Sequence, residues 1–254
     1  MSVPGRILVA GASSGLGRCI AVGLAGRGAS VALLARRAHR LQTAAEEAGP
    51  SAVAVPCDVR DEQACVDAVA AVVDRLGGLD ALVYAAGMSP LARLADTDGD
   101  QWRAVFDVNV VGAAQLTRAA LPALAEAGGR AAYLSSVAAS VTGPWPGLGA
   151  YASSKAALDT MVEAWRGEHP EIGFSRIVVG DCAGGEGDGA TGFADGWDPA
   201  LLGELYAEWV ARGLRGDGYV DVAEVVDVVA GVLAADAPVR SVTVAPARRE
   251  LLDR

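Results

Sequence analysis

The chain has 254 residues, 52% of them hydrophobic and 20% charged, with 31 Asp and Glu against 21 Lys and Arg and a formal net charge of −10. That composition excludes a disordered or low-complexity chain, and no run approaches the ~18 uncharged apolar residues needed to span a bilayer. An acidic surface repels DNA, RNA and anionic membranes, so none of these is expected as a partner.

Residues 1–6 run straight into an apolar strand without a signal-peptide cleavage pattern, which predicts a cytoplasmic protein. From there, apolar runs rich in Val, Ile, Leu and Ala predict strands at 6–10, 30–34, 52–55, 79–84, 130–134, 174–179 and 239–244. Helical periodicity predicts helices at 15–26, 37–48, 61–76, 99–108, 112–127, 151–168 and 222–234. In the third of these, Ala64, Val66, Val69, Val72, Val73 and Leu76 form the expected buried stripe, and Gly77-Gly78 ends it. A Gly/Asp-rich loop at 180–198 leads to a helical insert at 199–212. Continuous apolar strands separated by helices argue a parallel sheet covered on both faces. With no repeat or composition break, residues 1–254 read as one α/β domain. Ligands of such sheets sit beyond the carboxyl ends of the strands.

After the first strand, Gly11-Ala12-Ser13-Ser14-Gly15-Leu16-Gly17 opens directly into a helix. Small residues let the backbone approach a pyrophosphate, and the N–H groups of the first helical turn receive its charge. The second strand ends in Leu34-Ala35-Arg36-Arg37, with no carboxylate to bind ribose hydroxyls. Guanidinium groups there can grip a 2′-phosphate and stack on an adenine, which points to NADP(H); alternatively they are solvated first-turn residues. After the third strand, Asp58 and Val59 stand where an adenine would lie, and Asp58 can accept from the adenine amino group or cap the next helix.

Tyr151 and Lys155 lie four apart at the start of a helix and share one face. A nearby ammonium stabilises a phenolate and draws a tyrosine toward acid–base work. Lys155 is the one lysine among the 21 basic residues, so a compact charge on a flexible stem stands beside this tyrosine in a chain that otherwise uses arginine. Ser136, at the end of the fifth strand, can donate to a substrate carbonyl oxygen, with Ser140 as a rival. Asn109 lies between two helical segments, where its amide could hold a water or a carbonyl. Four cysteines without a CxxC pair and two distant histidines, His39 and His169, give no metal-ligand spacing.

Gly11-x-x-x-Gly15-x-Gly17, Asp58, Ala86-Gly87, Asn109, Ser136 and Tyr151-x-x-x-Lys155, in this order, resemble the short-chain dehydrogenase/reductase superfamily, and its NADP-preferring carbonyl reductases in particular. The resemblance covers essentially the whole chain, through residues 241–245 and Pro246. It implies a doubly wound, seven-stranded Rossmann sheet, assembled as a homotetramer or homodimer, and hydride transfer between a nicotinamide and a carbonyl or alcohol carbon. By position, Tyr151 would be the general acid/base and Lys155 would bind the nicotinamide ribose and lower the tyrosine pKa. Ser136 would orient the substrate, Asn109 would complete the proton relay, and Ala86 and Gly87 would border the cofactor. Four departures stand out. Ala10 replaces a frequent Thr, and Tyr84-Ala85 replaces an Asn pair. Ser136 to Tyr151 spans 15 positions, longer than the family's habit, and Gly180-Asp181-Cys182-Ala183-Gly184-Gly185 replaces a Pro-Gly.

Residues 181–215 would form a substrate lid, with Phe193, Trp197, Leu201, Leu202, Leu205, Tyr206 and Trp209 either over the reacting site or packed on the core. Trp145 and Met88 are further lining residues. The lid carries Asp181, Glu186, Asp188, Asp195, Asp198, Glu204 and Glu208 against Arg212 and Arg215 at its end, which disfavours a polyanionic substrate unless Arg93, Arg103 or other distant basic groups supply contacts, and favours a neutral or cationic ketone. The expectation is an NADPH-dependent ketoreductase. Elimination or isomerisation on the same fold, and non-catalytic dinucleotide binding, are the other readings.

Overall fold

The computed structural model describes residues 3–182, 190–215 and 218–246. Seven strands, β1 (Arg6–Ala10), β2 (Ser30–Ala35), β3 (Ala52–Pro56), β4 (Ala81–Tyr84), β5 (Arg130–Ser136), β6 (Gly173–Val179) and β7 (Ser241–Val244), form one parallel sheet in the order β3-β2-β1-β4-β5-β6-β7. The register aligns Leu8 with Ala32 on one side and Leu82 on the other. Because side chains alternate across a strand, each apolar run supplies both faces.

One face carries Ile7, Val9, Val31, Leu33, Val83 and Ile177 beneath α1 (Gly15–Ala25), α2 (Ala38–Ala48) and the C-terminal helix at Val222–Ala234. The other carries Leu8, Leu34, Leu82, Tyr84, Tyr133 and Phe174 beneath α3 (Glu62–Leu76), α5 (Gly112–Ala127) and α7 (Gly149–Glu168). Between these, α4 (Gly99–Phe106) precedes α5, and the four-residue α6 (Val137–Ser140) follows β5. The insert is α8 (Pro199–Ala211), and the C-terminal helix is α9.

The strand order reverses between β1 and β4, which opens a crevice at the carboxyl edge of the sheet.

Several local expectations are corrected. Val66 is exposed; Val69 and Val72 are buried as expected, together with Cys65 and Ala68, and Ala64, Val73 and Leu76 are partly buried against the same core. Asp61 accepts from the Ala64 N–H at 3.0 Å, so Asp58 is not the helix cap. The helices flanking Asn109 are not separate: a π-helical turn at Asp107–Val111 joins α4 to α5. Strand β5 continues two residues beyond the expected end, through Ser136, and α7 begins at Gly149. Residues 183–185, Glu186 and Asp188 of the expected lid lie outside the described residues.

Tyr84 supplies a tie that the sequence did not announce. Buried on β4, its hydroxyl donates to the Val108 carbonyl in the π-turn at 2.6 Å. Gly112 leaves the room for it, since a Cβ there would stand 3.0 Å from the Tyr84 oxygen and 2.7 Å from Val59. Where the resemblance implies an Asn, a longer polar arm thus reaches the neighbouring helix.

Candidate active site

The crevice is a cavity of about 760 Å³ that runs from the end of β2 to the lid. Its floor at one end is the turn after β1. Gly11 has φ +83°, and a Cβ on it would lie 2.6 Å from the Ala86 backbone nitrogen. A Cβ on Gly17 would lie 2.4 Å from the Gly11 carbonyl oxygen. Only glycine permits a turn this tight against the strand-four loop. Ser14 precedes α1, yet its hydroxyl makes no capping bond. Instead it receives the Arg37 guanidinium at 2.7 Å, while Ser13 receives the same Nη2 at 3.2 Å. The first turn of α1, Gly15 to Gly17, lines the crevice and carries no acidic side chain, so its positive dipole end is left available there.

Arg36, Asp58 and Val59 line the adjoining wall. Asp58 is held by Arg60, whose guanidinium reaches it at 2.6 Å and whose hydrogen bonds keep its carboxyl below the usual range. A backbone cradle of glycines, two exposed guanidinium groups and a carboxylate along one crevice fit a nicotinamide dinucleotide. Thr191 lies over this turn, 3.1 Å from where a Gly15 Cβ would be, and Asp195 faces Arg37.

At the other end of the cavity, Ser136, Tyr151 and Lys155 converge with Ala86 and Gly87. Ser136 caps α6, its oxygen accepting from the Ala138 N–H at 3.2 Å, and it faces the Tyr151 hydroxyl. Ser140 is exposed and does not line the cavity, so the geometry separates the two serines. The long spacing from Ser136 to Tyr151 is taken up by α6 and the turns around Pro144-Trp145-Pro146. The Lys155 ammonium is buried and donates to the Leu134 carbonyl at 2.8 Å. It stands 5.8 Å from the centre of the Tyr151 ring. Burial pushes Tyr151 up to about 12, against a lowering hydrogen bond from Ser136. Burial likewise brings Lys155 down to about 8.

Asn109 is fully buried in the π-turn, but its side chain is committed. Oδ1 accepts from the Met88 N–H at 2.9 Å, and Nδ2 donates to the Met88 carbonyl at 3.0 Å and the Ser154 hydroxyl at 2.9 Å. The amide therefore fastens the loop after β4 to α7, one residue from Lys155.

The aromatic and apolar residues of the segment after β6 divide between the cavity and the core. Leu205 and Trp209 are buried against Trp145 and Leu148. Phe193 and Trp197 face the cavity, with Phe193 edge-on to Tyr151 at 5.1 Å and to Trp197 at 5.4 Å. Trp197 is pinned by its indole N–H to the Ser89 carbonyl at 2.8 Å. The acidic residues are distributed differently from the expectation. Glu204 and Glu208 pair with Arg93, and Glu208 also with Arg212, away from the cavity lining. Asp181 and Asp195 do line it, but so does Arg215, paired to Asp181 at 3.1 Å and stacked on Tyr206 and Tyr219. Arg215 meets Asp181 and Tyr206, 34 and 9 positions away, only in the fold.

Among the described residues there is no group of three or more His, Cys, Asp or Glu placed to hold a metal, and no helix long and apolar enough to cross a membrane.

Residues 6–186 match the family described as short chain dehydrogenase. The chain is similar to a short chain dehydrogenase of Pseudocercospora fijiensis, 41% identical over 167 residues that make up 63% of this chain and 53% of that one. It is also similar to 11-beta-hydroxysteroid dehydrogenase A of Sesamum indicum, 37% identical over 185 residues, 70% of this chain and 53% of the relative. These matches span about half the length of each curated relative. Among solved structures, a dehydrogenase/reductase from Sinorhizobium meliloti superposes with a TM-score of 0.79 at 30% identity, covering 96% of this chain and 94% of its own.

Proposed function

Because this chain belongs to the short-chain dehydrogenase family, we propose that it is an NADPH-dependent oxidoreductase that reduces a bulky, largely apolar ketone to a secondary alcohol. The observation that carries this reading is the convergence of Ser136, Tyr151 and Lys155 on one wall of the cavity whose other end is the glycine turn.

The residues that would hold the cofactor are the turn from Gly11 to Gly17 for the pyrophosphate, Arg36 and Arg37 for the 2′-phosphate, Asp58 and Val59 for the adenine, and Ala86, Gly87 and Lys155 for the nicotinamide riboside. NADPH, when bound, supplies the hydride. Ser136 holds the substrate carbonyl oxygen, and Tyr151 gives its phenolic proton to that oxygen as negative charge develops there. Lys155, fixed by the Leu134 carbonyl, lowers the cost of the phenolate left behind. The resting protonation states suit this direction: Tyr151 at about 12 keeps its proton and Lys155 at about 8 keeps its charge at neutral pH. Asn109 keeps Met88 and Ser154 in place around this pair.

Phe193, Trp197, Trp145, Met88 and Leu202 make the substrate end aromatic and apolar, in keeping with a relative named for hydroxysteroids. The test is loss of nicotinamide absorbance when NADPH is mixed with a panel of aryl and polycyclic ketones. Turnover of apolar ketones supports the assignment; consumption with none of them, or conversion of a substrate without change in the nicotinamide, would contradict it.

A further inference from the structure

One helical turn beyond Lys155, on the same stripe of α7, lies Asp159, and a further turn on lies Glu163. Asp159 is 6% exposed, and its two oxygens are fully shielded. Among the described residues neither oxygen has a well-directed hydrogen-bond donor. The charged and polar groups facing it come from three elements. Lys155 and Glu163 lie on α7 itself, the Ser135 hydroxyl on β5 approaches closely enough to favour the charged carboxylate, and Arg176 is on β6, with Nη1 at 3.6 Å. Arg176 also reaches Glu163 at 3.5 Å, and Glu163 is closed off at the surface by Arg166 and by Arg240 at 3.2 Å. Charges thus alternate from the cavity to the protein surface: Lys155, Asp159, Arg176, Glu163, then two arginines.

Burying a carboxylate this poorly hydrogen-bonded is unfavourable in itself, and burial holds Asp159 above the usual carboxylate range. An ion pair at 3.6 Å with a guanidinium whose Nε also lacks a partner is a weak compensation. What the position does accomplish is to place a negative charge one helical turn from Lys155, on a residue that does not line the cavity.

We propose that Asp159 is a positioning residue that sets the charge of Lys155 and acts directly on the protonation of Tyr151, with Arg176 on β6 setting how strongly it does so. The electrostatics hold for the folded chain whatever it turns over; their catalytic meaning rests on the Tyr–Lys reading above. Loss of the Asp159 charge lowers the Lys155 pKa, because the cation loses its counter-charge. It also lowers the first deprotonation of Tyr151, because a like charge to the phenolate is gone. Both changes move the Tyr–Lys pair the same way, toward lower pH. Loss of the Arg176 charge moves it the opposite way, because Asp159 then acts on Lys155 without a competing cation.

The single lysine makes this directly readable. Protein grown with ¹³Cε-lysine gives one lysine side-chain signal, and its shift against pH titrates Lys155 without any substrate. The wild type should titrate near pH 8. Asp159→Asn should titrate about one pH unit lower, Arg176→Gln higher, and Asp159→Glu close to wild type. The alkaline limb of ketone reduction should follow the same order. An unmoved midpoint in Asp159→Asn overturns the inference. So does movement of both variants in one direction, which would mean only a loosened interior. Should Asp159→Asn fail to fold, Arg176→Gln carries the test alone, and a midpoint that does not rise overturns it. A shifted lysine signal without any ketone turnover would leave the charge coupling standing and reject the redox reading instead.

Discussion

Lys155 donates to the Leu134 carbonyl at 2.8 Å, so the ammonium of α7 is anchored on the last apolar residue of β5 before Ser135-Ser136. This bond joins the helix that carries Tyr151 to the strand that carries Ser136, beside the contact between the Ser136 and Tyr151 hydroxyls themselves.

Replacing Tyr151 with Phe removes the proton donor and little else. Its ring contact with Phe193 at 5.1 Å can persist. Ketone reduction should fall by about 10²–10⁴-fold, while NADPH affinity, read by tryptophan quenching, should change by less than about threefold.

Arg37 spans Ser13 and Ser14, and Arg36 lines the same wall. Arg36→Ala and Arg37→Ala should each weaken NADPH binding by roughly tenfold or more, the loss of a charge-assisted contact to a phosphate. NADH binding should be nearly unchanged. Titrating both cofactors against both variants checks this, and equal losses for the two cofactors would remove the 2′-phosphate from the account.

Tyr84→Phe leaves the Val108 carbonyl without its donor inside the fold. The expected cost is about 1–3 kcal/mol in denaturant unfolding, with an unchanged denaturant dependence. Gly112→Ala should also destabilise, because the added methyl meets Val59 and the Tyr84 hydroxyl.

Lys155 also makes stability depend on pH. Its folded value of about 8 lies below an ordinary lysine's 10.5. Below pH 8 both states hold the proton, and the cost of the buried charge is present in full. Between the two values the unfolded chain holds a proton that the folded chain has released, so stability rises with pH. The stability of the wild type minus that of Lys155→Met should therefore be flat below pH 8 and rise above it. Urea unfolding of the cofactor-free proteins across that range reads the difference, and a flat curve to pH 10 would contradict the buried position of the ammonium.

The order of strands and helices was legible in the sequence because parallel strands buried on both faces read as unbroken Val, Leu, Ile and Ala runs, while Gly-rich turns mark their ends. The Tyr151–Lys155 pair was legible because helix geometry turns a four-residue spacing into proximity, and the glycine turn because its residues are contiguous. Asp58 was open to two readings, and only the start of α3 decided that Asp61 makes the cap. The π-turn around Asn109 was not legible, since it spans only Asp107–Val111, too short a stretch for a hydrophobic period to register the change of pitch. Tyr84 read as an apolar strand residue, and its hydroxyl partner lies 24 positions away. The pairing of Glu204 and Glu208 with Arg93 spans more than 100 positions, so a lid that reads as acidic turns out to have part of its charge answered from another loop.

The most direct measurement is the fate of the hydride. NADPH carrying deuterium at both C4 positions of the nicotinamide is incubated with the wild-type protein and an aryl or polycyclic ketone, and the alcohol is examined by mass spectrometry. One deuterium on the carbinol carbon, absent with Tyr151→Phe, is the predicted result. A product without deuterium, or equal labelling by the variant, would contradict the assignment of Tyr151 and its neighbours to carbonyl reduction.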